Sequence, residues 1–399
     1  MLEVLRNRLY RIFFYSFTLG NFAEGLLVVT TPFLILRTTG RPADVGIGLA
    51  AQTIGVLCAL LPGGTLADRF SKIKIISLSY ILGALSLLPV FLLNSVQNNI
   101  VLLALCLFMF GVSTAIYGPI SDSLTPDLVD ESNLHRANSV ESFSQRVGQG
   151  MAGPVAGGVL IVLDMGTISY AIASMSLLLA AVSIRRINIP TLNTRDEDGQ
   201  GPSWSSALRF LRKWPSFTLL LVWVSVAVML QMGAKPVVNT TWADGYQGGS
   251  MIYGSALAIG AVASLATSVI VGNARLPKNY VLCMILCWSI GSSAVIILLF
   301  NKSATAFAVT FIVSSIFLTI GNIYWSTFMQ KSIPRTLLPR MLSIDWFASL
   351  ALVPLGAALA GFGLERIGLE KMFLVLSTPI LFSGFIMMIL MRRSFTLRD

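Results

Sequence analysis

The sequence predicts an all-α membrane protein of twelve transmembrane helices arranged in two six-helix bundles. Three observations carry that prediction. Charged residues make up only 12% of the 399, against 55% hydrophobic, too little charge to keep a soluble surface of this size hydrated. The apolar residues gather in blocks of about 20, the length a helix needs to cross a bilayer, and most blocks are apolar all round rather than on one stripe. The basic residues collect in alternate loops, the pattern of cytoplasmic connections.

Taken in order, the blocks place spans at 12–36, 44–67, 73–94, 99–121, 138–163 and 166–184. After a polar break come 216–238, 249–273, 278–300, 303–328, 341–364 and 370–391. The first block is too long for a cleavable signal and lacks a small-residue cleavage site, so it reads as the first permanent span. With the N-terminus inside, 21 of the 28 basic residues fall in inner loops. Six (Arg37, Arg41, Lys235, Lys302, Arg366 and Lys371) fall outside, and Arg146 lies within a helix. The net charge of +10 therefore records topology and not nucleic-acid binding. Both termini are expected in the cytoplasm, with the chain in a bacterial inner (plasma) membrane.

The break at 185–215 separates residues 1–184 from 216–399. Its second part sets Trp204, Ala207, Leu208 and Leu211 on one face and Arg209, Arg212 and Lys213 off it. That spacing suits a short helix lying at the cytoplasmic membrane surface, or else the segment is a plain linker. The two sides repeat one plan. Pro32 matches Pro236, Arg136-Ala-Asn-Ser139-Val-Glu141-Ser-Phe143 matches Arg340-Met-Leu-Ser343-Ile-Asp345-Trp-Phe347, and Gly157 matches Gly361, all at an offset of 204. Arg69 and Lys72 fall on Arg275 and Lys278 at 206. Such constant offsets mark a duplicated six-helix unit, an arrangement that puts a binding site between two halves near the midplane. Two halves suffice to form it, so a monomer is expected.

The loop between the second and third spans reads Gly63-Gly64-Thr65-Leu66-Ala67-Asp68-Arg69-Phe70-Ser71-Lys72-Ile73-Lys74. It resembles the signature loop of the major facilitator superfamily, departing at Ser71, where that family prefers glycine. The resemblance implies a conformational latch of Gly64, Asp68, Arg69 and Lys72, with Asp68 facing the start of the eleventh helix near Met341 and Asp122 placed to accept Arg69. Topological anchoring by the bases is the alternative. The second half carries Ala274 where Asp68 stands. The fifth span contains Gly153-Pro154-Val-Ala-Gly157-Gly158, which resembles the run associated with antiporters of that superfamily. Proline bends a helix, and glycines let a neighbour approach closely.

Glu24 sits mid-span in the first helix, and its counterpart by offset is Val228, so the fold does not require an acid there. An ionised carboxylate stranded in the bilayer is costly, so Glu24 should face a cavity or titrate. It is either a proton acceptor or a structural carboxylate, paired with Arg146 or capped by hydroxyls. Arg146 either meets an anionic substrate group or holds an acid such as Glu141 or Asp122, so Glu24, Asp122 and Arg146 are the proton-coupling candidates. Asn21, Gln52, Tyr117, Trp223, Gln231, Asn322, Tyr324, Trp325 and Gln330 are candidates to line a cavity, where aromatic faces suit cationic or amphipathic guests. Glu141 and Asp345, duplicates near inner helix ends, suit structural duty.

The four cysteines lie in apolar spans without His or acid beside them, and suit packing rather than a metal site. The single histidine, His135, has no nucleophile to serve, and no phosphate-binding loop occurs, so neither an enzyme nor a cofactor is expected. The resemblance implies a proton-coupled secondary transporter that exports a small amphipathic molecule such as a drug, antibiotic or siderophore-like metabolite. Its partners are protons, a small-molecule substrate and the lipid bilayer, with no nucleic acid. The alternatives of the same fold are a proton-coupled nutrient importer and a lipid or glycolipid flippase.

Overall fold

In hydrocarbon a backbone can satisfy its own polar groups by closing into helices, and long apolar runs do so throughout this chain. The computed structural model describes residues 2–69, 71–130, 134–187, 204–333 and 338–396, and among these no strand occurs. The first six spans comprise α1 (Arg8–Thr39), α2 (Pro42–Arg69), α3 (Lys72–Leu92), α4 (Ile100–Leu128), a broken fifth span of α5 (Leu134–Val147) and α6 (Gly153–Val162), and α7 (Ile168–Ile184). Helix α8 (Trp204–Lys213) occupies the break. The remaining spans are α9 (Pro215–Val228) continued by α10 (Lys235–Asp244), α11 (Gly249–Asn273), α12 (Tyr280–Ser293) continued by α13 (Ile297–Phe300), α14 (Ala304–Ser332), α15 (Leu338–Ala351) continued by α16 (Val353–Ile367), and α17 (Leu369–Thr396). The twelve traversals agree with the expected fold class. Ten helices are long and apolar enough to cross a membrane on composition alone. The other two traversals are the broken fifth span, which carries Glu141 and Arg146, and α7, at 17 residues.

Local chemistry sets the helix ends and breaks. Asn7 caps α1 by accepting from the Leu9 and Tyr10 amides, and Gly40, at φ 69°, closes it with its N–H on the Leu36 carbonyl at 2.8 Å. Ser303 caps α14 through the Ala306 amide. Helix α12 passes into α13 through a 3-10 turn at Ala294–Ile296, whereas the other three broken helices resume at a proline. Pro154 follows a π turn at Gly148–Ala152, Pro236 follows one at Met229–Ala234, and Pro354 opens α16. Proline offers no N–H and crowds the carbonyl four residues back, so the preceding turn widens or opens. Ser71 precedes α3 at φ −57°, ψ 120°, a conformation open to any residue, so serine in place of glycine leaves that turn unstrained.

The chain forms two compact units. Unit 1 comprises residues 1–192 together with 239–258, and unit 2 comprises 193–238 and 259–399. In unit 1, buried Phe13, Phe33, Tyr80, Tyr170 and Phe110 fill the space among α1, α3, α4 and α7. In unit 2 the core is aromatic. Phe217 stacks on Trp325 with ring centroids 6.0 Å apart, Trp325 meets Trp288 at 5.6 Å, and Trp288 meets Trp223 at 6.3 Å. Helix α8 packs Phe210 and Leu211 against this cluster and leaves Arg209, Arg212 and Lys213 exposed. Large apolar side chains such as Leu78, Leu85, Val101, Leu105, Val269, Ile270, Phe382 and Phe385 point outward, as they must where the surroundings are lipid.

Lys235, expected in an outer loop, instead begins α10 inside a continuous traversal from Pro215 to Asp244 and is only 8% exposed. The π turn at Met229–Ala234 leads directly into this helix, which the chain leaves at Asp244.

Candidate functional site

Helix α1 holds its acid at a crossing with the fifth span, and glycines bring the two together. A Cβ on Gly25 would fall 2.5 Å from the Gly148 carbonyl oxygen and 2.7 Å from the Gln149 Cα, so only a bare backbone fits. Gly153 lies equally close to the Gly25 backbone, and Gly157 to the Leu26 carbonyl. The π turn at Gly148–Ala152 sits on this crossing and directs Gln149 to Glu24, donating from Nε2 to Oε2 at 2.8 Å. From the opposite side, the Tyr117 hydroxyl of α4 donates to Glu24 Oε1. The Tyr80 ring packs 4.7 Å from that of Tyr117, and its hydroxyl lies where a side chain on Gly20 would be.

The Glu24 side chain is half-buried, and the partners described for its carboxylate are neutral. A phenol hydroxyl can turn from donor to acceptor, so Tyr117 can serve both the ionised and the protonated acid. Gln149 donates to the remaining oxygen in either case. The carboxyl can therefore gain and lose a proton without leaving a buried polar atom bare, which is the demand on any acid placed in a membrane core.

Toward the end of α1 where the chain enters, polar groups continue along the α1–α5 contact. Asn21 is 5% exposed, rests its Cβ against Gly148 and donates to the Phe17 carbonyl of its own helix. The Thr18 and Ser144 hydroxyls lie 2.8 Å apart. Glu141, also buried, receives Thr125 Oγ1 at 2.9 Å and the Tyr10 hydroxyl at 3.1 Å.

The antiporter-type run divides between two neighbours. Gly153 and Gly157 face α1, while Pro154 and Gly158 face the segment 239–258 of the same unit. Ser250 Oγ donates to the Gly158 carbonyl at 3.0 Å, and a Cβ on Gly158 would fall 2.6 Å from the Ser250 carbonyl oxygen. A Cβ on Gly254 would collide with the Pro154 carbonyl. Phe33 meets Tyr253 nearby at 6.2 Å, and Arg37 lies 3.8 Å from Asp244.

Of the expected site residues, the structure brings together Glu24, Tyr117, Asn21, Gly153 and Gly157. Gln149 and Tyr80 join them without having been singled out. The signal for Gln149 was its place between Gly148 and Gly150, just ahead of the antiporter-type run, and for Tyr80 there was none in spacing. Gln52 lies half-buried on α2 beside the close α2–α4 crossing of Gly55 and Gly111. In unit 2, Trp223 and Trp325 are core residues, their indole N–H groups given to Ser383 Oγ at 2.9 Å and Asp345 Oδ2 at 3.0 Å. Asn322 is exposed and accepts from the Trp288 indole at 2.9 Å, and Tyr324 is half-buried. Gln231 lies in the second π turn. Arg146 is half-buried on α5, two residues before the first π turn. Lys72 Nζ pairs with Asp127 Oδ2 at 2.8 Å. Gly64, Asp68, Arg69, Asp122 and Gln330 fall outside the residues whose side chains are described.

Comparison with known proteins agrees with this architecture. The chain is 24% identical over 98% of its length, and of the relative's, to the multidrug efflux pump Tap of Mycolicibacterium fortuitum. It is 23% identical to the enterobactin exporter EntS of Salmonella choleraesuis, over 88% of this chain and 84% of that one. The fold superposes on a crystal structure of a mutant of the nucleoside transporter NupG with a TM-score of 0.77 at 13% identity, covering 95% and 99% of the two chains. With residues 12–275 matching the family profile described as Major Facilitator Superfamily, this multi-pass membrane chain, a transporter and not an enzyme, belongs to that superfamily.

Proposed function

We propose that this transporter is a proton-driven exporter of a small amphipathic molecule, with Glu24 as the coupling acid. The observation that carries the reading is a mid-membrane carboxyl held by two neutral donors, one of which, Tyr117, can follow its change of protonation. The relatives named as a multidrug efflux pump and an enterobactin exporter support export as the direction. Glu24 takes a proton from the outer side, the two halves, divided at 185–215, exchange access, and the proton leaves inward as cargo binds. A gradient drives this only to the extent that proton and cargo prefer different states. The polar groups of Thr18, Ser144 and Glu141 offer the departing proton an inward line along α1. The excess of basic residues in alternate loops favours an inner bacterial membrane with both termini in the cytoplasm.

The test is cargo-stimulated proton movement in proteoliposomes under an imposed pH gradient, using a panel of amphipathic compounds. Glu24→Gln should abolish gradient-driven transport while preserving membrane insertion and cargo exchange without a gradient. Gradient-driven transport at the wild-type rate in that variant refutes the assignment of Glu24.

A further inference from the structure

Unit 2 contains an ionisable group with no task in the mechanism above. Lys235 stands at the start of α10, directly after the π turn, 8% exposed and within a traversal of apolar helix. Its ammonium lies 3.3 Å from the Gly291 carbonyl oxygen and 3.2 Å from Ser314 Oγ, both neutral. An ammonium has three N–H donors, so one is left over. Among the described residues no carboxylate lies within ion-pair distance of it.

The fold does not need this charge. Ser314 Oγ already donates to the Gly291 carbonyl at 2.6 Å, so that carbonyl is satisfied without the lysine. The counterpart of Lys235 in the first half, at the offset of 204, is Thr31, which receives the Tyr170 hydroxyl at 3.0 Å. A neutral residue therefore serves at the equivalent place. One turn before Lys235, about 6 Å along the helix axis, the Gln231 side-chain amide is buried at Nε2 with no acceptor. Two unsatisfied donors, one of them cationic, thus stand four residues apart on one helix in a dry setting. The missing complement is an oxygen-rich anion. Charged groups inside membranes mark functional sites for this reason, since only a ligand or a pathway repays their desolvation.

We infer that Lys235 and Gln231 form an anion site in unit 2 that receives an acidic group of the cargo, a carboxylate or similar oxyanion on an apolar body. The assignment of the anion to cargo rests on the transporter reading; the site itself does not need proton coupling.

Equilibrium dialysis of the purified full chain in detergent tests it, with naphthalene-2-carboxylate as probe and naphthalene-2-carboxamide as its neutral isostere. The wild type should bind the carboxylate at least tenfold more tightly than the amide. Lys235→Met should erase that preference and leave amide affinity within twofold, while Lys235→Arg keeps it. Gln231→Met should weaken the carboxylate severalfold and leave the amide unchanged, which carries the test if Lys235→Met fails to fold. No preference in the wild type, or an intact preference in folded Lys235→Met, overturns the site. Displacement of the carboxylate by chloride at about 0.15 M would give the site to an inorganic ion and overturn the assignment to cargo. Glu24→Gln shifts the balance of states for both probes alike and should keep the wild-type ratio of carboxylate to amide affinity, so failure of the coupling scheme and failure of this site give different results.

Discussion

Replacing Gly153 by alanine probes the contact on which the acid's geometry depends. The added Cβ would sit 2.5 Å from the Gly25 carbonyl carbon and from the Leu26 amide nitrogen, both backbone atoms that no rotamer change can move. Carbon atoms rest about 3.5–4.0 Å apart, so α1 and α6 must separate by about 1 Å. The Gln149–Glu24 hydrogen bond, at 2.8 Å, would lengthen to about 3.8 Å and be lost. Overpacking costs about 1–3 kcal/mol, and losing a hydrogen bond to an ionised acceptor costs about 1.5–3 kcal/mol more. Thermal melting in detergent should register the first cost. A transport assay on Gly153→Ala, Gln149→Leu and the double variant should register the second. If the alanine acts by parting the helices, the coupling defect of the double variant equals that of Gln149→Leu alone, because the bond is already gone. Wild-type melting and wild-type coupling in Gly153→Ala, or strictly additive defects in the pair, would refute the argument.

Tyr117→Phe removes the group that follows the protonation of Glu24, and should slow gradient-driven transport about tenfold, equivalent to about 1.4 kcal/mol, with binding of cargo unchanged in a dialysis assay. Lys72→Ala breaks a pair whose two side chains are about one-third exposed, so melting should shift by less than about 1 kcal/mol. A loss of transport in that variant without a loss of stability would assign Lys72 to the latch.

The fold was legible in the sequence because lipid imposes a length and an apolarity on each span, and duplication supplies a check at a constant offset. The fifth span shows where that reading weakens. Glu141, Arg146 and five glycines from Gly148 to Gly158 depress its apolar signal, yet the glycines make the crossing that positions Glu24. Glu24 was legible from its depth alone, since no fold rule asks for it and Val228 replaces it in the repeat. Its partners were less so. Tyr117 stood in a pool of aromatic residues, from which the structure takes Trp223 and Trp325 into the core of unit 2, because an indole with a partner for its N–H packs as well inside a bundle as against a cavity. Lys235 was misplaced because a base near the end of an apolar block reads as a loop residue, whereas the π turn and Pro236 carry the helix on to Asp244.

The two-faced glycine run has a mechanical consequence. Where α6 meets α1 and the 239–258 segment, the abutting surfaces are largely main chain, with few side chains to interlock. Prising such a seam apart frees few rotamers and closing it freezes few, so its opening and resealing carry little entropic drag. A methyl group on either face would act as grit in a bearing: the 239–258 side would feel it as a seal that leaks, and the α1 side as an acid out of place.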